Sequence, residues 1–120
     1  MRRLDEQAEI IILEKSEHIS FANCGLPYHI GKIIQKREEL ILQTPKSFKK
    51  NFNIDVRTLS EVIAVNPEKR TITVKQSNTI YDESYDYLIL SPGCIPIQNG
   101  FNVKNLSGGF FTYLAYMNNL

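Results

Sequence analysis

Four consecutive apolar residues, Ile10-Ile11-Ile12-Leu13, lie between Glu9 and the polar pair Glu14-Lys15. A run this short and this rich in β-branched residues fits a strand buried on both faces better than a helix, which would show apolar spacing of three and four. Such a strand is common in parallel sheets and needs neighbours on each side. Only Arg2 to Ala8 precede it, enough for the last turn or two of a helix. A second continuous run, Tyr87-Leu88-Ile89-Leu90, is broken by Ser91-Pro92-Gly93 and reads as a second buried parallel strand. Both runs point to an α/β chain.

Between them the pattern changes twice. Pro27 suits the first turn of a short helix, where its missing N–H costs nothing, and Gly31 suits the stop. Residues 32–43 read as a polar turn followed by a short ordered stretch. Thr44-Pro45 then predicts a helix, with Thr44 as N-cap and Phe48 and Phe52 one turn apart. From Asp55 the reading is strands. Val62 to Val65 is apolar, Asn66 to Lys69 is a turn, Thr71 to Lys75 alternates, Ser77-Asn78 turns again, and Thr79 to Asp82 returns. This predicts a three-stranded antiparallel meander. Farther on, Phe110-Phe111 suggests a short strand and Tyr113 to Leu120 a helix start.

Composition excludes several classes. Fourteen basic residues balance thirteen acidic ones, so the chain lacks the surplus positive charge of a nucleic-acid binder. No apolar run approaches the length of a membrane span, and the N-terminus shows no signal-peptide core. The cytoplasm is the expected compartment. There a disulfide between Cys24 and Cys94 is not expected.

The candidate chemistry lies at a few positions. Glu14, at the C-terminal end of the first strand, is placed either to accept hydrogen bonds from the hydroxyls of a nucleotide ribose or to be a solvated strand end. The 120 residues hold no GxGxxG turn to accompany it. Cys24 follows Asn23 at a predicted helix start. Unpaired N–H groups at such an end favour thiolates, the species that attacks disulfides and peroxides. The alternative is a small buried hydrophobe. Cys94 has no activating neighbour in sequence. A zinc site from His18, Cys24, His29 and Cys94 has spacings that match no ligand pattern. Lys46, Lys49 and Lys50 form a basic face that is either solvated or meets a phosphate, and Arg2 and Arg3 carry the same ambiguity.

The segments RRLDEQAEIIILEK, SFANCGLPYHIG, LQTPKSFKKNFNIDV and ESYDYLILSPG, in that order, resemble the coenzyme A-disulfide reductases. These are relatives of the flavin-dependent NADH oxidases within the pyridine nucleotide-disulfide oxidoreductases. The resemblance runs from residue 2 to residue 93 and more faintly to 112. SFANCGLPY is its most specific part, because it carries the family's single redox cysteine.

The resemblance implies a partial FAD-binding Rossmann-like domain with the meander inserted. It implies that Cys24 receives electrons from NAD(P)H through FAD. The cysteine then forms a mixed disulfide with coenzyme A, or a sulfenic acid in the oxidase branch. It matches Glu14 to the acid that holds the adenosine ribose of FAD, Lys15 to a residue beside the adenine, and Val62 to a backbone position that meets it. Ser91, Pro92 and Gly93 match the loop beside the flavin. Ser20 and Asn23 match residues near the coenzyme A thiol, and Arg3 matches an arginine at its phosphate end.

The family opens with a strand and a glycine-rich pyrophosphate turn, and continues into NAD(P)H-binding and dimerisation domains; members are homodimers. None of these parts matches the present residues, and a phosphate-contacting lysine of the family falls at Phe52. The expectation is thus about a quarter of such an enzyme, with weak or absent FAD binding and little turnover of its own. The alternative is a non-catalytic or partner-dependent module.

Overall fold

A computed structural model describes residues 1–93 of the 120. The expectations for Cys94, Phe110-Phe111 and Tyr113 to Leu120 lie outside the described residues. The chain divides into two units. The first comprises Met1–Ala22 and Ile41–Leu88; the described part of the second comprises Asn23–Leu40 and residues 89–93.

In the first unit, β1 (Ile11–Leu13) pairs in parallel with β2 (Asp55–Arg57), in the register Ile11 to Asp55 and Leu13 to Arg57. The apolar run therefore does form a strand, but a shorter and less buried one than its composition suggests. All three β1 residues are half-buried. The reason is topological: among the described residues β1 has one hydrogen-bonded neighbour. Residues 2–4 form a turn, closed by Leu4 N–H donating to Met1 O, where the end of a helix was expected.

The helix at 45–52 is built as its sequence requires. Thr44 is extended, its Oγ1 accepts the Ser47 N–H, and the Ser47 Oγ accepts the Thr44 N–H, closing a capping box ahead of α2 (Pro45–Phe52). Pro45 occupies the first turn. The Phe48 and Phe52 rings are 5.6 Å apart. Asn53 ends the helix in the left-handed conformation, which its short polar side chain tolerates.

The meander is present, with longer strands than the sequence suggests: β3 (Ser60–Asn66), β4 (Thr71–Gln76) and β5 (Thr79–Ser84), antiparallel in chain order. Val62 opposes Val74 and Ala64 opposes Thr73, so Ile63 is the extra residue of a β-bulge. The bulge explains why Val62 to Val65 does not alternate: it returns Val62 and Val65 to the same face, opposite Val74 and Ile72. Ile72 and Val74 are buried on that face.

One expected strand is not formed. Tyr87 to Leu90 has no strand assignment, and Tyr87, Ile89 and Leu90 are exposed. Strand geometry depends on a hydrogen-bonding partner, and among the described residues none pairs with this run. Its composition alone is insufficient.

In the second unit, a single 3-10 turn, Asn23–Gly25, leads into α1 (Leu26–Ile30), with Pro27 in its first turn and Gly31 as C-cap. Residues 32–43 contain one further 3-10 turn, Arg37–Leu40. Leu26 and Leu40 are fully buried. No helix among the described residues is long and apolar enough to cross a membrane.

Candidate functional site

The first unit gathers Glu14, Lys15 and Val62 on adjoining elements. Glu14 follows β1 directly. Its N–H donates to Arg57 O at 3.0 Å, and its own carbonyl accepts the Ser60 N–H at 2.9 Å. The strand end is thus fixed by backbone to the last residue of β2 and the first of β3. The Glu14 carboxylate is half-buried, and one of its oxygens, Oε1, accepts both the Ser16 N–H at 2.8 Å and the Ser16 Oγ–H at 2.7 Å.

Lys15 forms an ion pair with Glu61 of β3 at 2.8 Å. The hydrogen bond and the charge of Glu61 raise the Lys15 ammonium above its ordinary value, and Lys15 lowers the Glu61 carboxyl in return. Lys15, Leu59, Glu61, Lys75 and Ser77 line an open depression on this unit. Leu59 and Ser77 both have positive φ, at 54° and 53°. For Leu59 that is a strained conformation, held by its N–H donating to Ser16 O at 3.1 Å. Val62 is one position along β3 from Glu61, at the bulge.

Arg57 is the main polar group that sequence reasoning missed. Its Nε donates to Asp55 Oδ2 at 2.9 Å, and a terminal nitrogen donates to Glu83 Oε2 and, at 3.4 Å, to the Tyr81 hydroxyl. Hydrogen bonds to Tyr81 and then Glu83 push the guanidinium further above its already high value. The signal was present in the sequence. Tyr81 and Glu83 alternate onto the face of Val74 and Ile72, and a carboxylate on a buried face calls for a cation.

Of the two terminal arginines, Arg2 is the anchored one. It donates to Phe52 O and Asn53 O at 2.9 Å each and to Glu6 O at 2.6 Å, so it caps the C-terminus of α2. Arg3 is exposed. Ser20 is half-buried in the first unit.

In the second unit Asn23 and Cys24 share the 3-10 turn before α1, and both are exposed. Cys24 is a free thiol, so the buried-hydrophobe alternative does not hold. Ser91, Pro92 and Gly93 are exposed. Gly93 has φ 71°, and a Cβ there would meet nothing within 4 Å, so the backbone angle rather than space favours glycine. Among the described residues no group of three His, Cys, Asp or Glu side chains could hold a metal.

A parallel pair ending in an acid, an antiparallel meander and an exposed cysteine before a short helix make an α/β chain, and its fold matches solved structures of the pyridine nucleotide-disulfide oxidoreductase type. The crystal structure of reduced CoADR-RHD from Bacillus anthracis matches with TM-score 0.79 and 44% identity, covering 98% of this chain and 23% of that one. An NAD-dependent persulfide reductase from A. fulgidus matches with TM-score 0.80 and 25% identity, covering 98% and 24%. Water-forming NADH oxidase from Lactobacillus brevis matches with TM-score 0.73 and 28% identity, covering 80% and 22%. No protein-family model matches the chain.

Curated sequences narrow the class. Coenzyme A disulfide reductase of Staphylococcus epidermidis is 50% identical over 95 residues, 78% of this chain, and that of Staphylococcus haemolyticus is 48% identical over 104 residues, 85% of this chain. The chain belongs to the coenzyme A disulfide reductase and NADH oxidase family. It spans 22–24% of the length of the curated relatives it matches.

Proposed function

We propose that this chain corresponds to part of the FAD-binding domain of a coenzyme A disulfide reductase, and that Cys24 is its redox-active thiol. The 47–50% identity to coenzyme A disulfide reductases over 78–85% of the chain carries this reading. The 28% identity to the Lactobacillus brevis NADH oxidase supports the oxidase branch less well.

Within this reading Cys24 attacks as the thiolate. It bonds to one sulfur of coenzyme A disulfide, the sulfur–sulfur bond breaks, and the departing coenzyme A thiolate takes a proton. The exposure of Cys24 admits a large disulfide. FAD, reduced by NAD(P)H, supplies when bound the electron pair that cleaves the resulting mixed disulfide. The resemblance also assigns Asn23, Ser20 and Arg3 to coenzyme A, and of these Asn23 shares the exposed turn with Cys24.

The residues present fit the adenosine half of FAD: the half-buried Glu14 carboxylate would hold the ribose, and Lys15 and the Val62 backbone would hold the adenine. The resemblance assigns Ser91, Pro92 and Gly93 to the flavin end, which they would contact if FAD were bound. The 120 residues contain no GxGxxG, and backbone N–H donors at such a turn supply much of a dinucleotide's affinity. FAD binding by this chain alone is therefore weak. In this reading the whole enzyme acts in the cytoplasm as a homodimer.

Two measurements test the reading. Purified chain is mixed with FAD and its visible flavin spectrum compared with free FAD; a perturbed spectrum is expected only at high FAD. Cys24→Ser chain is then compared with the unaltered chain for mixed-disulfide formation with coenzyme A disulfide by intact mass. Loss of the adduct on substitution is expected; an adduct of equal yield on Cys24→Ser overturns the assignment.

A further inference from the structure

A carboxylate has about four acceptor positions, two on each oxygen. In Glu14 both positions of Oε1 are taken by one residue, Ser16, through its N–H at 2.8 Å and its Oγ–H at 2.7 Å. Ser16 is itself held. Its carbonyl accepts the Leu59 N–H at 3.1 Å, and its Oγ lies 3.1 Å from His18 O. Glu14 is fixed on both sides of its Cα by the Arg57 and Ser60 backbones. The carboxylate is thus tied through one oxygen to a turn pinned at several points, and no bond to Oε2 is formed among the described residues.

We propose that Ser16 is a positioning residue, which fixes Oε1 of Glu14 so that Oε2, with its two acceptor positions, receives the two hydroxyls of a nucleotide ribose. This rests on the reading of Glu14 given above and extends it. A free glutamate side chain would lose rotamer entropy on binding a diol; one already locked by Ser16 has lost it on folding. The two oxygens then have separate roles, one structural and one for the ligand.

The same arrangement makes the strained Leu59 intelligible. Its positive φ is stabilised by the bond to Ser16 O, so the residue that orders the carboxylate also orders the rim of the neighbouring depression.

The probe is adenosine 5′-monophosphate, which suits a weak site, compared with its 2′,3′-dideoxy analogue, which lacks both hydroxyls. Binding to the unaltered chain is followed by amide chemical shifts. The unaltered chain prefers the ribose form by about tenfold, as expected for hydrogen bonds to a charged acceptor. Ser16→Ala reduces that preference severalfold, Ser16→Thr restores it, and Ser16→Ala has no further effect in a Glu14→Gln background. A purely structural role for Ser16 would weaken both nucleotides alike and leave the ratio unchanged. An unchanged ratio in Ser16→Ala overturns the inference alone. An unaltered chain that binds neither nucleotide, or both equally, overturns the reading of Glu14 and the inference with it.

Discussion

The Arg57 guanidinium, at the end of a parallel strand, donates to the Glu83 carboxylate on the third strand of the meander, and the two side chains are 28% and 29% exposed. Two sheets with no shared ladder are therefore joined by a charge-assisted bond. Tyr81 and Asp55 complete the cluster, so the guanidinium has three side-chain acceptors. Such bonds are shorter and stronger than neutral ones.

Replacing Arg57 by Met keeps the length of the side chain and removes all three bonds. Glu83 is left half-buried without its cation. The expected loss is about 1–2 kcal/mol, the ordinary value for hydrogen bonds to a charged group reduced for partial solvent screening. Urea denaturation measures it. A midpoint equal to that of the unaltered chain would show that the cluster does not join the sheets.

The Lys15–Glu61 pair gives a pH dependence of defined sign. Glu61 is lowered from its ordinary 4.5, so its contribution is present above that value and lost as pH falls through the lower folded one. Lys15 is raised from 10.5, so its contribution is present below that value and lost only as pH rises through a higher one. The pair is exposed, and its effect is small and screened by salt. Glu61→Gln therefore lowers stability slightly near neutrality in low salt. The difference from the unaltered chain disappears in acid, and in high salt, when thermal midpoints are compared.

Thr44→Ala removes an acceptor from the N-terminus of α2 and breaks the capping box. The expected cost is about 1 kcal/mol. Thr44→Ser, which keeps the hydroxyl, restores most of it. Thermal melting of the two variants separates the cap from a change in side-chain size.

Ile72 is 5% exposed at the centre of the meander, between Val65 and Glu83 in register. Ile72→Ala deletes buried methyl groups where three strands meet, and costs about 2–5 kcal/mol. Ile72→Val costs about 0.5–1.5 kcal/mol. If both variants unfold at the urea concentration of the unaltered chain, the inner face of the meander is not a packed core.

Elements whose instructions lie within a few residues are legible in the sequence. Thr44-Pro45 and Asn53 bound one helix, Pro27 and Gly31 another, and the alternation of Ile72 and Val74 between two turns sets the meander. The family is legible there too, because SFANCGLPY and the acid after EIIIL are read without a fold. What each strand pairs with is set by the fold. It gave β1 the short segment Asp55–Arg57 as its neighbour and left Tyr87 to Leu90 without one, although its composition is equally strand-like. It chose Arg2 over Arg3 as an anchor, and it brought Arg57 to Glu83 and Ser16 to Glu14. The physical reason is common to these cases. Caps, turns and periodicity are satisfied by neighbours in sequence, whereas a ladder or a charge pair is satisfied by whichever distant group the folded chain presents.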